Sequence, residues 1–301
     1  MTALPTAPGG YTEADMRSIV QQACTEIGLD AEGAEVLRGH TNAVLRLRFH
    51  PVVAKIARIG TRPEAVERTV RFTRWLMEAG FPTAPLLACE QPVLVNGHSV
   101  TFWVYLPQPE ASVTAEQLAK PLHMLHTLGR PPFELPAHDN VRAIRRSLSA
   151  TTTLPDADLC FLSSRVDQLE VALGEVLFEL PPGVIQGDPQ HRNALHAAGG
   201  SVLLCDWDTA AIGQPEWDLV TVEVHSRRFG YGKEHYEEFA EAYGFDVTKW
   251  FGYETLRDLR ELRMITTNAR KARHTPGSID EVQRRIHGLR QDEAGLPWRI
   301  L

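Results

Sequence analysis

Val184-Ile185-Gln186-Gly187-Asp188-Pro189-Gln190-His191-Arg192-Asn193-Ala194-Leu195, followed shortly by Val202-Leu203-Leu204-Cys205-Asp206-Trp207-Asp208, is the stretch on which the fold turns. Between its halves lies Ala197-Ala198-Gly199-Gly200-Ser201, which has the composition of a tight turn. The apolar flanks read as short strands of an antiparallel hairpin. In a hairpin turning near Gly199 and Gly200, Asn193 falls opposite Asp206, and Asp188 sits on a loop just before it. An amide oxygen and a carboxylate then converge at the open end. Such oxygens suit a hard cation such as Mg²⁺, which takes one or two protein carboxylates and fills its shell with phosphate and water. Singly, each residue is also what a turn or strand end ordinarily carries. Their order, with hairpin geometry between them, sets the group apart.

Upstream the chain is rich in β-formers. Val36-Leu37, Ala43 to Phe49 and Val52 to Ile59, separated by the turn sequences Gly39-His40-Thr41-Asn42 and His50-Pro51, predict three antiparallel strands. Val93 to Val95 and His98 to Tyr105, joined by Asn96-Gly97, predict a hairpin. A helix is predicted from Thr12 to Ile27, with Thr12 as N-cap and Asp15 three residues on. A second is predicted to open at Thr61-Arg62-Pro63-Glu64, read as a capping box, and to end at Gly80. Residues 1–11 read as a flexible leader. Beyond Leu106-Pro107-Gln108-Pro109 helices are predicted to start at Thr114 and to span Leu159–Leu177, His235–Tyr243, Glu254–Ala272 and Ile279–Leu289. The expected architecture is α+β, with a small antiparallel β-rich lobe over residues 1–105 and a larger, mostly helical lobe over 106–301.

Composition narrows the function classes. The 301 residues are 43% hydrophobic and 23% charged, enough to build a substantial core without staples. Thirty-one basic against 38 acidic residues give a net charge of −7, the wrong sign for nucleic-acid binding through a bulk field. No apolar run approaches the roughly 20 residues of a membrane span. The first thirty residues lack the basic segment and long apolar run of a secretory signal. Cys24, Cys89, Cys160 and Cys205 are scattered and form no CxxC, which fits reduced thiols better than a disulfide framework or a zinc site. The expectation is a cytoplasmic protein with neither nucleic acid nor membrane as partner.

Asp188, four residues and Asn193 match the D-x-x-x-x-N of the kinase catalytic loop, and Asp206 stands where that fold carries its metal-binding aspartate. The flanking sequence resembles the aminoglycoside phosphotransferase family, whose usual wording is H-G-D-x-x-x-x-N followed by an I-D-W-E/D-like strand end. Cys205-Asp206-Trp207-Asp208 and Gly213-Gln214-Pro215-Glu216-Trp217-Asp218-Leu219 are similar to that pattern, and the resemblance runs over roughly residues 35 to 270. One departure is plain: Gln186 replaces the usual His.

The resemblance implies a two-lobed protein-kinase-like fold and transfer of the γ-phosphate of ATP to a hydroxyl of a small molecule. It makes Asp188 the catalytic residue and assigns Mg²⁺ to Asn193 and Asp206. Lys55, inside the apolar run Val52-Val53-Ala54-Lys55-Ile56, is similar to the V-A-I-K lysine on the nucleotide phosphates. Glu67, or Glu64 three residues earlier, would be its partner on the next helix. The loop ending at Asn42 would cover the phosphates. The link around Trp103 and Tyr105 would meet adenine through its main chain.

Ala211 to Trp250 holds Glu216, Asp218, Glu223, Glu234, Glu237, Glu238, Glu241 and Asp246 against Arg227, Arg228, Lys233 and Lys249. The family's acceptor site draws on this region, so the excess acid suits an amine-bearing acceptor such as an aminoglycoside-like antibiotic or an amino alcohol. It equally suits a solvated helix face. Antibiotic-modifying enzymes and kinases of choline, homoserine or ketosamines share the core, so fold analogy does not choose among acceptors. Two other readings stay open: a nucleotide-binding protein without transferase activity, which Gln186 keeps alive, and a metal-dependent hydrolase using Asp188, Asp206 and Asp208, which leaves Lys55 without a role. His123 and His126 lie three apart on a helix but lack the third ligand of a catalytic zinc site. Trp217-Asp218 reads as a brace for the catalytic loop.

Overall fold

The computed structural model describes residues 11–39 and 42–301. The expected leader, except Tyr11, lies outside the described residues, as do His40 and Thr41 of the expected phosphate loop. Tyr11 itself is buried and donates its hydroxyl to the Ala57 carbonyl at 2.7 Å, so it belongs to the packed chain.

The elements run α1 (Glu13–Glu26), β1 (Glu35–Gly39), β2 (Ala43–Arg46), β3 (Val52–Ile56), α2 (Pro63–Glu78), β4 (Val93–Val95) and β5 (His98–Val104). They continue with α3 (Ala115–Thr127), α4 (Asn140–Ser149), α5 (Asp156–Gly174), β6 (Gly183–Ile185), β7 (Ala194–His196), β8 (Val202–Leu204) and β9 (Ala211–Gly213). The last four are α6 (Glu216–Arg228), α7 (Lys233–Tyr243), α8 (Tyr253–Lys271) and α9 (Ile279–Arg290). Strands β1 to β5 form one antiparallel sheet in the order β1-β2-β3-β5-β4. Its reversal between β4 and β5 places Asn96 and Gly97 at φ 48° and 81°, the left-handed pair that a twisted two-residue hairpin requires.

Helix α1 starts where the sequence places it. The Thr12 hydroxyl accepts from the Asp15 N–H, and the Asp15 carboxylate accepts from the Thr12 N–H, a reciprocal box that satisfies two otherwise orphaned donors. Its apolar residues Met16, Ile19, Val20 and Ala23 share a core with Leu45, Ala54, Ile56 and Phe102 of the sheet. The box expected at Thr61 and Glu64 does not form. Arg62 is the N-cap, without a side-chain bond, and Pro63 opens α2. Proline fits there because its missing N–H is one the helix start would leave unpaired.

The chain divides into two units, one reaching Ala111 and taking in residues 195–208, the other made of 112–194 and 209–301. Hydrogen bonds explain the excursion. Ala84 N–H donates to the Leu204 carbonyl and Leu204 N–H to the Pro82 carbonyl, both at 2.9 Å. The Trp207 indole N–H reaches the Thr83 hydroxyl at 2.8 Å, and its ring lies edge-on to Phe72 and Phe81. The hairpin turn falls where expected, with Gly199 and Gly200 at φ 72° and 77°.

The second unit is mostly helical. Ile144, Leu162, Val166, Leu259, Leu262, Ile265 and Val282 fill its core, drawn from α4, α5, α8 and α9. Helices α4 and α6 are not among the predicted elements. In α6 every residue but Arg227 is buried, so no apolar stripe marks one face. Its Val220, Thr221, Val222 and Val224 read locally as strand-formers. Among the described residues no helix is long and apolar enough to cross a membrane, and no disulfide joins the four cysteines.

Candidate active site

Two sets of polar residues stand out, one in each unit. In the first, Lys55 projects from β3 with its side chain only 15% exposed. Its Nζ lies 2.8 Å from Asp206 Oδ1 and 2.9 Å from Asp208 Oδ2. Burial works to lower the lysine pKa, but the charges and hydrogen bonds of Asp206 and Asp208 outweigh it and raise the pKa above the ordinary value. Lys55 is therefore a fixed cation. Asn42 donates its amide to Asp208 Oδ2 at 3.0 Å and accepts the Arg58 N–H at 3.1 Å. Burial pushes the Asp208 carboxyl up, but Lys55, Asn42 and Asp206 pull it below the usual carboxylate value. Asp206 holds φ +59°, a left-handed backbone that non-glycine residues seldom adopt and that Asp tolerates best.

The lysine's expected glutamate is a correction. Glu67 and Glu64 are exposed on α2, and the described carboxylates on Lys55 are Asp206 and Asp208. The charge that balances Lys55 comes from some 150 residues further along the chain, not from the next helix. The link segment also differs in detail. The Val104 and Tyr105 N–H groups donate to the Pro85 and Pro51 carbonyls, so neither remains for an adenine edge. Trp103 donates its indole N–H to the Thr101 hydroxyl, and Arg46 stacks 4.1 Å over the Tyr105 ring.

In the second unit the loop after β6 carries Asp188, and α6 holds it. Asp218, fully buried, accepts the Gln186 N–H at 2.7 Å, the Gly187 N–H at 2.8 Å and His126 Nε2 at 3.0 Å. His126 Nδ1 lies 2.8 Å from the Tyr243 hydroxyl. The Trp217 indole N–H donates to the Gly187 carbonyl at 3.0 Å. Gly187 sits at φ +85°, and a Cβ there would lie 2.6 Å from the Thr209 carbonyl oxygen, so only glycine fits this turn. Gln186, in the place of the usual His, turns its Oε1 back to the Asp188 N–H at 2.7 Å and pins the residue that follows the turn.

The Asp188 carboxylate is held at both oxygens. Oδ1 accepts from the Arg260 guanidinium at 2.5 Å, and Oδ2 from the Gln190 amide at 2.9 Å. Burial alone would raise its pKa. The Arg260 charge, His225 and these hydrogen bonds carry it below the ordinary value. Asn193, buried, donates Nδ2 to the Asp188 carbonyl at 2.9 Å, which leaves Oδ1 as its acceptor atom. Arg260, on α8, was invisible to sequence reasoning. Arg257, Arg260 and Arg263 recur every three residues, a spacing that does not mark one of them as buried, yet Arg260 is only 5% exposed.

Most of the acidic residues between Ala211 and Trp250 have other work. Glu216 accepts the Glu179 and Leu180 N–H groups, Asp218 braces the loop, and Glu223 pairs with Arg227. Glu237 pairs with Lys233 and Asp246 with Lys249, while Glu234, Glu238 and Glu241 lie exposed on α7. The count that pointed to an amine-bearing acceptor measures internal bracing and a wet helix face.

Known proteins supply the context for this geometry. No curated protein matches the sequence itself. Among solved structures, an amicoumacin kinase in complex with AMP-PNP and Ca²⁺ is similar, at 14% identity and TM-score 0.70, over 95% of this chain and 96% of that one. The choline kinase of Streptococcus pneumoniae is similar at 17% identity and TM-score 0.68, over 92% of this chain and 99% of that one. A microcompartment-associated aminopropanol kinase is similar at 17% identity and TM-score 0.68, over 93% and 98%. At such identities the likeness is one of fold, and the fold is kinase-like. The family model of the phosphotransferase enzyme family (APH) matches residues 23–259, well over half of the sequence, and takes in Lys55, Asp188, Asn193 and Asp206. The chain belongs to the APH phosphotransferase family and is a small-molecule kinase of that ATP-using family.

Proposed function

We propose that this chain moves the γ-phosphoryl group of ATP to a hydroxyl of a small molecule, with Asp188 facing that hydroxyl. The observation that carries this reading is the double clamp of Asp188 by Arg260 and Gln190 on a loop tied to Asp218. A carboxylate held below its ordinary pKa is too weak a base to ionise an alcohol beforehand. Asp188 therefore orients the hydroxyl and takes its proton as the new bond to phosphorus forms and the bond from phosphorus to the β,γ-bridging oxygen breaks. ADP leaves, and no phospho-enzyme is needed. Lys55, kept cationic, is the residue to hold the α- and β-phosphates. Trp103 and Tyr105 lie in the segment assigned to adenine, which would be met through main-chain groups other than the Val104 and Tyr105 N–H groups.

Asn193 Oδ1 and the Asp206 carboxylate are the donors assigned to Mg²⁺. No cluster of three or more His, Cys, Asp or Glu residues that could hold a metal occurs among the described residues. An amide oxygen and a carboxylate are hard donors of the kind Mg²⁺ takes, with phosphate and water completing its shell. When bound, such an ion neutralises charge on the β- and γ-phosphates. The hydrolase reading fits less well, since a guanidinium 2.5 Å from Asp188 Oδ1 occupies the place a metal would need. The pseudokinase reading loses its ground in Gln186, which holds the loop by its own amide.

The test is an ATP-consumption screen against aminoglycosides, other amino-sugar antibiotics, small amino alcohols and hydroxy acids. The names of the similar structures make amine-bearing alcohols a necessary part of it. ADP formation with a phosphorylated product is expected for at least one class. Failure of MgATP to bind, with no product from any class, overturns the reading.

Lys55→Met is expected to weaken MgATP binding roughly 10- to 100-fold, the scale of one charge-assisted hydrogen bond of about 1.5–3 kcal/mol. The fold should persist, because Asp206 and Asp208 are 40% and 45% exposed and keep water as a partner. Calorimetric titration with MgATP beside a melting curve separates the two effects. An unfolded variant of a protein whose wild type binds no ATP would remove Lys55 from the nucleotide site.

A further inference from the structure

Helix α6 carries Trp217 near its start and His225 about two turns later, which places both side chains on one face of the helix. Both close on Arg260 of α8. The Arg260 guanidinium carbon sits 5.7 Å over the Trp217 ring. Its Nη2, the nitrogen that donates to Asp188 Oδ1 at 2.5 Å, also lies 3.2 Å from His225 Nε2. Arg260 is 5% exposed and His225 8%, so the contact between them is closed to solvent.

The direction of that second bond follows from chemistry. A guanidinium nitrogen donates and never accepts, so His225 Nε2 must present its lone pair. The ring proton is then on Nδ1 and the imidazole is neutral. Burial, with the Arg260 charge adding to it, pushes the His225 pKa down to about 3, in keeping with a neutral ring. Nη2 has two hydrogens, and one goes to the carboxylate while the other goes to the imidazole. A carboxylate alone leaves the guanidinium free to turn about the Nη2···Oδ1 line. The second bond fixes its plane above Trp217. The buried Arg260 Nε has no hydrogen-bond partner among the described residues, so it supplies no further anchor. The aim of Asp188 thus depends on how His225 holds Arg260, and a misplacement of about 1 Å at a reacting group can cost on the order of 10²-fold.

We propose that His225 is a positioning residue for phosphoryl transfer: as the Nδ1–H tautomer it takes the second Nη2 hydrogen of Arg260 and so fixes the guanidinium that aims Asp188. This rests on the phosphotransferase reading and adds a residue to it. His225 acts through Arg260 and not on a reacting atom, so its loss belongs in kcat and not in nucleotide affinity.

Two measurements test this. The first is a long-range ¹H–¹⁵N correlation spectrum of the intact protein labelled in its histidine rings, with His225 assigned by the signal that His225→Gln removes. A protonated Nδ1 and a bare Nε2 are expected. The second follows ADP release from MgATP with water as the acceptor, a probe that needs no identified alcohol. His225→Phe keeps a ring of similar size but has no acceptor atom. It is expected to lower kcat roughly tenfold or more and to leave the KM for ATP within about twofold, the pattern and scale of losing one hydrogen bond to a charged group. His225→Gln can set its amide oxygen near the place of Nε2, and is expected to return kcat to within about threefold of wild type. Melting curves report the folded fraction, so that kcat is compared per folded molecule.

A protonated Nε2 on His225 overturns the proposal. So does a His225→Phe variant that melts lower but turns over normally per folded molecule, which would make the histidine a packing residue only. A His225→Phe effect confined to the KM for ATP, or a His225→Gln variant no better than His225→Phe, overturns it as well. These outcomes leave the phosphotransferase reading in place. A bare Nε2 in a protein that releases no ADP and phosphorylates no acceptor does the reverse: the Arg260–His225 bond stands, and the phosphotransferase reading falls with the positioning role built on it.

Discussion

Asp188→Asn is expected to keep MgATP affinity within about twofold and to lose roughly 10²–10⁴-fold in turnover, the usual scale for a positioned acid–base group. Asp206→Asn is expected to abolish turnover and weaken MgATP binding together. Both exchanges delete one negative charge, so charge alone does not separate them. Position does. Asp206 sits beside Lys55, the residue assigned to the phosphates, and is itself assigned to the metal. Asp188 is bound to Arg260 and Gln190 in the other unit, and its remaining lone pairs are the ones left for an acceptor hydroxyl.

The Asp188→Asn variant carries a stability cost that must be measured beside its kinetics. The amide keeps one oxygen for Arg260 or Gln190, and its NH₂ group then faces the other donor. Arg260 is buried and loses its anionic partner, which costs about 1–3 kcal/mol for a hydrogen-bonded charge. Asp188 keeps 30% of its side chain exposed, which places the loss at the lower end. Titration calorimetry with MgATP and a turnover assay, both run well below the melting point, give the comparison. Normal turnover by Asp188→Asn, or loss of nucleotide binding equal to that of Asp206→Asn, would defeat the proposed division of labour.

Local chemistry was legible wherever a short segment determines its own shape. Thr12 with Asp15 caps α1 in the predicted way, α3 starts at Thr114 as expected, where Gln117 completes a capping box, and Asn96-Gly97 turns the β4–β5 hairpin. The Asp188 loop was legible for a different reason, since its spacing matches a family. What stayed hidden depends on partners far apart in the chain. Lys55 takes its counter-charges from Asp206 and Asp208, and no rule about the next helix reaches that far. Nothing local marks Arg260 until α8 is packed and its guanidinium is found on Asp188. The acidic residues of 211–250 suited two readings for the same reason. A sequence shows that Glu216 and Asp218 carry charge, but not that four backbone N–H groups elsewhere await them. Helix α6 escaped because burial on every side erases the periodicity by which a helix is recognised.

Asp218→Ala should be the most damaging single substitution in stability, because one side chain satisfies three groups in a fully buried place. Its removal leaves the Gln186 and Gly187 N–H groups without acceptors, at about 1–3 kcal/mol each. His126 keeps Tyr243 but loses its carboxylate. A total of about 3–5 kcal/mol corresponds to a fall of roughly 5–8 °C in Tm for a protein of this size. Turnover should fall further than folding accounts for. The two released N–H groups flank the turn that aims Asp188, and a shift of about 1 Å at a reacting group can cost on the order of 10²-fold. His126→Ala supplies the comparison, since it leaves both backbone bonds in place and should cost less in Tm and much less in turnover per folded molecule. Melting curves for the two variants, with turnover measured at a temperature where both are folded, test the argument. If Asp218→Ala melts within about 2 °C of wild type, or His126→Ala is the more damaging of the two, the catalytic loop is held by something other than the Asp218 carboxylate.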